Sequence, residues 1–245
     1  MRSDRPGRSI SAYTVGDRVF QLQSGYGYSE ESGGLLRIDV HSLDVQGKLG
    51  IGSRIEVSTL FQLASLGFDF GDTPLSFFEG DERSNGLSQF NFALRGTILN
   101  GKGLIPAIGF EAAYVTAGIP GESFDLNAGR FVLILQNEIT DWLSFTGNAL
   151  YITNDIIQFT ANLSGHVNDR VGVFAEYWPI FDAAFETNSI IGLIDSFMNT
   201  GIFWQINSDF QVDASCGFSI AQREYLRGDF TPFYIQAGIT KRFEL

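Results

Sequence analysis

Few side chains in this chain of 245 residues are of the types that covalent chemistry uses: two histidines, His41 and His166, and one cysteine, Cys216. A nucleophilic hydrolase needs a serine or thiol bonded to a base that an acid orients in turn. His41 falls near Asp39 on one face of an alternating stretch, and His166 falls in the turn-like "HVNDRV" beside Asn168 and Asp169. Neither neighbours a nucleophile-elbow sequence. No His-x-x-x-His pair and no acidic calcium loop is present, so neither enzyme, cofactor nor metal is expected. Cys216 alone makes no disulfide, and its alternating position suits a small apolar side chain.

Isolated charges inside apolar stretches carry more information. Arg37, Asp39, Arg54, Glu56, Arg95, Glu111, Glu176, Asp213 and Arg242 each fall on the polar side of an alternating segment. Such groups face a lumen if the other side faces an apolar medium, and an ion unpaired in low dielectric is costly. Two readings stand. The charges pair as Arg–carboxylate ties that close a small pore, or part of the set lines a path and selects a solute by charge.

The elements that position these charges have period two throughout. In "DFQVDASCGFSI", Phe210, Val212, Ala214, Cys216 and Phe218 alternate with Gln211, Asp213, Ser215 and Gly217. The same alternation runs through Val19–Tyr28, Leu36–Ser42, Ser53–Leu63, Gln89–Gly96, Ile108–Tyr114, Phe131–Gln136, Leu143–Tyr151, Ile157–Ser164, Val171–Tyr177, Ser196–Ile206 and Phe233–Leu245. With Asp209–Ile220 these make about twelve segments of roughly ten residues, the length a tilted strand needs to cross a bilayer. No helical period competes. Twenty-three Phe and 28 Gly against two Met also favour strands and tight turns.

The polar face decides between a soluble sandwich and a membrane barrel. It holds Gln, Asn, Ser, Thr and Gly rather than the Lys and Glu of a water-facing sheet, while the other face is Phe, Leu, Ile and Val. That combination puts a hydrated lumen on one side and lipid on the other. The expected fold is all-β: a single closed transmembrane antiparallel barrel of about twelve strands. Residues 1–17 are expected to form an N-terminal segment, in the periplasm or the lumen, and 18–245 the barrel. Short turns, "NEITDW", "HVNDRV" and "QINSDF", alternate with longer connections at Ala64–Gly86, Thr116–Gly129, Trp178–Ser189 and Ala221–Pro232. Tyr28, Trp142, Tyr151, Tyr177 and Trp178 stand at segment ends, where amphipathic rings mark the headgroup level. The loop "LGFDFGDTPLSFF", Leu66–Phe78, would capture a hydrophobic ligand or tuck into the mouth as a plug. Gly25, Gly27, Gly217 and Gly238 would admit close approach to the wall.

Net charge is −12, which removes the attraction that drives binding to phosphate backbones, so nucleic acid is excluded as a partner. "MRSDRPGRSISAYT" has no apolar signal core, leaving an intracellular chain or one whose signal has been removed; the barrel reading takes the second.

Several stretches in this order resemble one family. Asp4, Arg5 and Pro6, followed by Phe20, Gln21, Gly25 and Tyr28, match its opening; Phe174 and Glu176 match a late strand, as do Gln211, Asp213 and Gly217; Gly238, Arg242 and Phe243 match its closing strand. The family is that of bacterial outer-membrane transporters labelled MetA-pathway of phenol degradation. The resemblance implies an outer-membrane location and passive passage of a small solute, apolar or aromatic, without covalent chemistry. The partners are then the lipid bilayer, the solute and the barrel assembly machinery during biogenesis. The competing readings are a non-conducting structural barrel closed by its lumen charges and, third, a soluble lipid-binding barrel.

Overall fold

A computed structural model describes residues 4, 7–33, 36–70, 82–103, 105–120, 126–182, 192–222 and 232–245. Twelve strands form: β1 (Val19–Gly33), β2 (Leu36–Ile51), β3 (Ile55–Phe70), β4 (Glu82–Leu99), β5 (Ala107–Ala117), β6 (Leu126–Glu138), β7 (Leu143–Ile152), β8 (Ile156–His166), β9 (Val171–Asp182), β10 (Gly192–Asn207), β11 (Phe210–Gln222) and β12 (Phe233–Glu244). Each pairs antiparallel with its sequence neighbours, and β1 closes on β12 from Val19↔Glu244 to Glu30↔Phe233. Closure leaves no backbone edge to lipid, the condition that a bilayer imposes on a sheet.

Burial is inverted relative to a soluble domain. Among the most enclosed side chains are Lys48, Gln21, Glu56, Glu176, Thr240 and Ser196, beside the apolar Ile134, Ala12 and Ala107. The exposed side chains include Phe61, Phe92, Phe131, Leu133, Phe159, Ile202, Phe218 and Ile239. Water cannot drive that arrangement, because it would strand apolar surface in solvent. Lipid outside and polar groups inside can.

The connections divide by end. Residues 52–54, 139–142, 167–170 and 208–209 make tight turns at the end holding both barrel termini. Asn168 Oδ1 accepts from the backbone N–H of Arg170 and Val171, and Asn207 Oδ1 from that of Asp209, the Asx bonds that favour Asn in turns. Residues 100–106 make a longer connection at that same end, while the opposite end carries 71–81, 118–125, 183–191 and 223–232 together with the short 34–35 and 153–155. There the strands run further than the sequence pattern suggests: β3 continues through Phe70, β4 starts at Glu82, and β9 reaches Asp182. Leu66–Phe70 is therefore barrel wall rather than loop, while residues 71–78 lie outside the described residues.

Strands β1–β4 have 15 to 18 residues against 10 to 13 in β5–β9, so one side of the wall stands taller. About ten residues suffice to cross the hydrocarbon, so the upper part of these strands is free of the apolar-outside rule. Strand β2 shows the consequence. Its apolar residues fall at even positions in Leu36–Val40 and at odd positions in Leu43–Leu49, yet no register shift interrupts its pairing with β1 or β3. The backbone keeps one phase while the hydrophobic pattern changes phase.

Candidate functional site

Strand phase determines where each charged side chain points. Lys48 on β2 pairs with Gln21 and Ser58, all buried, so even positions of β2 face the lumen. Glu56, Arg95, Glu111, Glu176 and Asp213 are also enclosed, and Arg242 pairs with the buried Gln21, so these six face inward.

Three other expected lumen residues do not. Arg37 and Asp39 share the outward phase of Leu43, and there they join Glu30, His41 and Arg83: Arg37–Glu30 is 2.8 Å, Asp39–Arg83 3.4 Å and His41 Nε2–Asp39 3.5 Å. They occupy the tall part of the wall, where a charge can meet water or headgroups. Arg54 is exposed in the turn between β2 and β3, one residue short of the strand, and its carbonyl accepts from the Thr97 N–H.

The aromatic set divides as well. Tyr151 and Tyr177 face outward, Tyr28 lies on the same face as His41, and Trp142 is exposed in the β6–β7 turn. Trp178 is only 4 % exposed and points inward, stacked on Phe197 with centroids 4.0 Å apart. Consecutive strand residues face opposite sides, so Tyr177 and Trp178 cannot share the membrane interface. Gly217 receives the Tyr234 ring, and Gly25 pairs with Gly238 across the β1–β12 seam.

Chain before β1 occupies the interior. Described residues between Asp4 and Val15 bond to β2, β3, β4, β6, β7, β8 and β9, a set of strands that surrounds the lumen. The wall meets this segment's backbone polar groups in turn. Glu176 accepts from the N–H of Arg8 at 2.8 Å and of Ser9 at 2.7 Å. Asn148 accepts from the Ile10 N–H and donates to its carbonyl, so one side-chain amide reads both groups. Gln136 accepts from the Ala12 N–H, Thr97 donates to the Ala12 carbonyl, and Glu56 accepts from the Val15 N–H. Backbone removed from bulk water has to find such partners. Ala12, fully buried, also packs on Ala107, Val132 and Ile134.

Close approach selects glycine at two wall positions. A Cβ on Gly50 would lie 1.6 Å from the Gly16 carbonyl oxygen, and one on Gly109 would lie 3.0 Å from Ala12 Cα. Of the four glycines expected to admit close approach, Gly217 does so toward Tyr234, whose Cζ would lie 2.4 Å from an added Cβ, and Gly27 toward Ser42 Oγ at 2.8 Å, but neither meets the N-terminal segment.

At the centre, Asp4 meets Arg95 through two bonds of 2.7 and 3.2 Å and also accepts from Lys48. Arg95 further contacts Glu111 at 2.9 Å and Glu56 at 3.5 Å, and Glu111 takes Arg130 at 2.6 Å. Three cations, Lys48, Arg95 and Arg130, face three carboxylates, Asp4, Glu56 and Glu111. The wall contributes +3 and −2, and Asp4 of the segment supplies the missing charge. Burial alone would raise the Asp4 carboxyl, but the adjacent Arg95 and Lys48 outweigh it and hold it well below the usual carboxylate range.

Two cavities, of about 350 and 200 Å³, share Asp4 and Gly7 in their linings. The larger opens toward the tight-turn end, past Gln136, Trp142 and Gln205; the smaller reaches Gln23, Asp44 and Asn91.

Lys48, Arg130, Asn148 and Gln136 were not among the expected site residues. The signal for Lys48 is the alternation of Val45, Gly47 and Leu49 with Gln46 and Lys48, which extends β2 past Ser42. Nothing local distinguishes the others, because their role depends on a segment more than 120 residues away for Gln136 and Asn148.

No family model matches the chain, and no curated protein matches it in sequence. Solved structures do. An outer-membrane channel from Pseudomonas putida F1 aligns over 98 % of this chain and 100 % of its own, with a TM-score of 0.61 and 11 % identity. The CymD monoaromatic hydrocarbon channel aligns over 96 and 95 %, with a TM-score of 0.58 and 9 % identity. The KdgM porin aligns over 90 and 99 %, with a TM-score of 0.56 and 10 % identity. At such identities the likeness is one of fold: a twelve-stranded barrel of the outer-membrane channel and porin type.

Proposed function

We propose that the protein is an outer-membrane channel for passive passage of a small solute, and that residues 1–17 act as its plug while 18–245 form the pore. The observation that carries this reading is the interior itself: two cavities whose linings share Asp4 and Gly7 of the segment. Most contacts holding the segment run to side chains rather than to a wall strand's backbone, so rearranging side chains would free it without breaking the barrel ladder. A solute with an aromatic portion suits the larger cavity, which Phe174 and Phe203 line, and CymD, similar in fold, is named for monoaromatic hydrocarbons. The motifs shared with the phenol-degradation transporters support the same class.

A second reading is a closed structural barrel, favoured by the neutral six-charge network that ties Asp4 to strands β2–β6. Planar-bilayer recordings separate the two. For a channel, the full chain opens in brief events and a chain lacking residues 2–17 conducts steadily. A truncated barrel that inserts, shifts on an unheated gel and stays silent would leave the structural reading.

A further inference from the structure

The charged ring accounts for Asp4, Glu56, Glu111 and their partners, but not for the wall beneath Arg8. The Arg8 guanidinium carbon lies 4.7 Å from the centroid of the Trp178 ring, which itself stacks on Phe197 at 11°. Two residues along β9, Glu176 takes the N–H groups of Arg8 and Ser9, one on each carboxylate oxygen. Gly7 lies so close that a Cβ there would sit 3.2 Å from Glu176 Oε1. A cation on an aromatic face, with a carboxylate gripping the donors next to it, is how proteins bind organic cations. In this barrel the occupant is the chain's own arginine.

The surroundings suit the same ligand. Asn199 pairs with Glu176 in register, is 3 % exposed, and its Oδ1 accepts no hydrogen bond among the described residues. An acceptor left open in an enclosed site is costly unless a donor comes to it. Across the same row, Gly217 has no side chain and Tyr234 lies over it, so its ring adds a second aromatic surface. The inner face of β9–β12 also presents the carboxylates of Asp195 and Asp213, against Arg242 as its one cation among the described residues.

We infer that Glu176, Trp178, Phe197, Asn199 and Tyr234 form a lumen subsite for a small organic cation, an amine or guanidine carried on an aromatic or apolar body, which Arg8 occupies when the segment is docked. Solute and segment compete for one site, so arrival of the cation favours release of the plug. This deepens the channel reading and rests on it for the link to transport, though not for binding.

The test is calorimetric titration of benzylammonium, with benzyl alcohol and benzoate as neutral and anionic matches, into the full folded chain, Arg8→Ala, and Arg8→Ala with Glu176→Gln. Each protein is first checked for its heat-modifiable band. Removing Arg8 vacates the ring, so benzylammonium is expected to bind R8A at least about tenfold more tightly than wild type, and to lose about that factor again with E176Q. Benzyl alcohol and benzoate should bind neither strongly. Equal binding of benzylammonium and benzyl alcohol to R8A, or no effect of E176Q, overturns the site. A barrel that binds benzylammonium as expected but stays silent in a bilayer keeps the site and removes the channel; one that conducts without any preference for the cation does the reverse.

Discussion

Asp4→Asn should open the barrel, because one carboxylate both neutralises the central ring and anchors the segment. Asp4 accepts two bonds from Arg95 and one from Lys48 while its side chain is only 14 % exposed. Breaking a buried ion pair by removing one partner costs about 3–5 kcal/mol. Asparagine keeps the shape and one acceptor, so the lower end, about 3 kcal/mol, applies; that corresponds to roughly a hundredfold change in the ratio of docked to undocked segment. The ring left behind has three cations and two carboxylates, a net +1. The assay is single-channel recording at fixed voltage and salt. D4N should lengthen open dwell times by up to that factor and shift selectivity toward anions, whereas D4N combined with Arg95→Gln returns the ring to neutrality and should lose the anion shift. Residues in one ion network are strongly non-additive. If D4N and wild type share the same open probability while both stay folded, or if the two substitutions combine additively, the docking argument fails.

Three further outcomes follow from the same geometry. Gly50→Ala places a Cβ 1.6 Å from the Gly16 carbonyl, so it should dislodge the segment and bring Arg8 out of the lumen to trypsin in a barrel that still runs as folded on an unheated gel. Asp4 has its carboxyl depressed by Arg95 and Lys48, so its anchoring is complete above the ordinary carboxylate range of about 4 and is lost only as pH falls through the lower folded value. The difference in open probability between wild type and D4N should accordingly stay constant from about pH 8 to 5 and vanish only in stronger acid. Arg37→Ala removes an outward, half-exposed partner of Glu30 and should leave conductance, selectivity and the urea unfolding midpoint unchanged; a selectivity shift would put Arg37 back in the lumen.

Much of the barrel is legible along the chain. Phe131, Leu133 and Leu135 read as one face because strand alternation is a local property of the backbone, and all three are exposed to the outside. The turns at 166–171 and 205–210 read from Asn and Asp for the same local reason, whereas at 139–142 it is Thr140 Oγ1 that accepts from the Trp142 and Leu143 N–H. Glu111 and Glu176 read as inward because a charge flanked by aromatic and aliphatic residues has no other place in a lipid-facing strand.

Other features needed the closed structure. Arg37 and Asp39 look inward from their apolar neighbours, but the pairing of β2 with β1 and β3 carries one phase from Lys48 to Leu36 and turns them outward. A hydrophobic pattern reports the wall only where lipid touches it, and β2 outruns the lipid. Trp178 is inward because Tyr177 is not. That Asp4 neutralises a ring 91 residues away at Arg95, or that Arg8 rests on Trp178, is written in no local spacing. Alternation and turn chemistry act between near neighbours in sequence, so the chain itself determines strands, turns and the lipid-facing set. Which lumen charges meet one another, and what the first residues bind, depends on closure of twelve strands around a single space, and only the tertiary structure decides it.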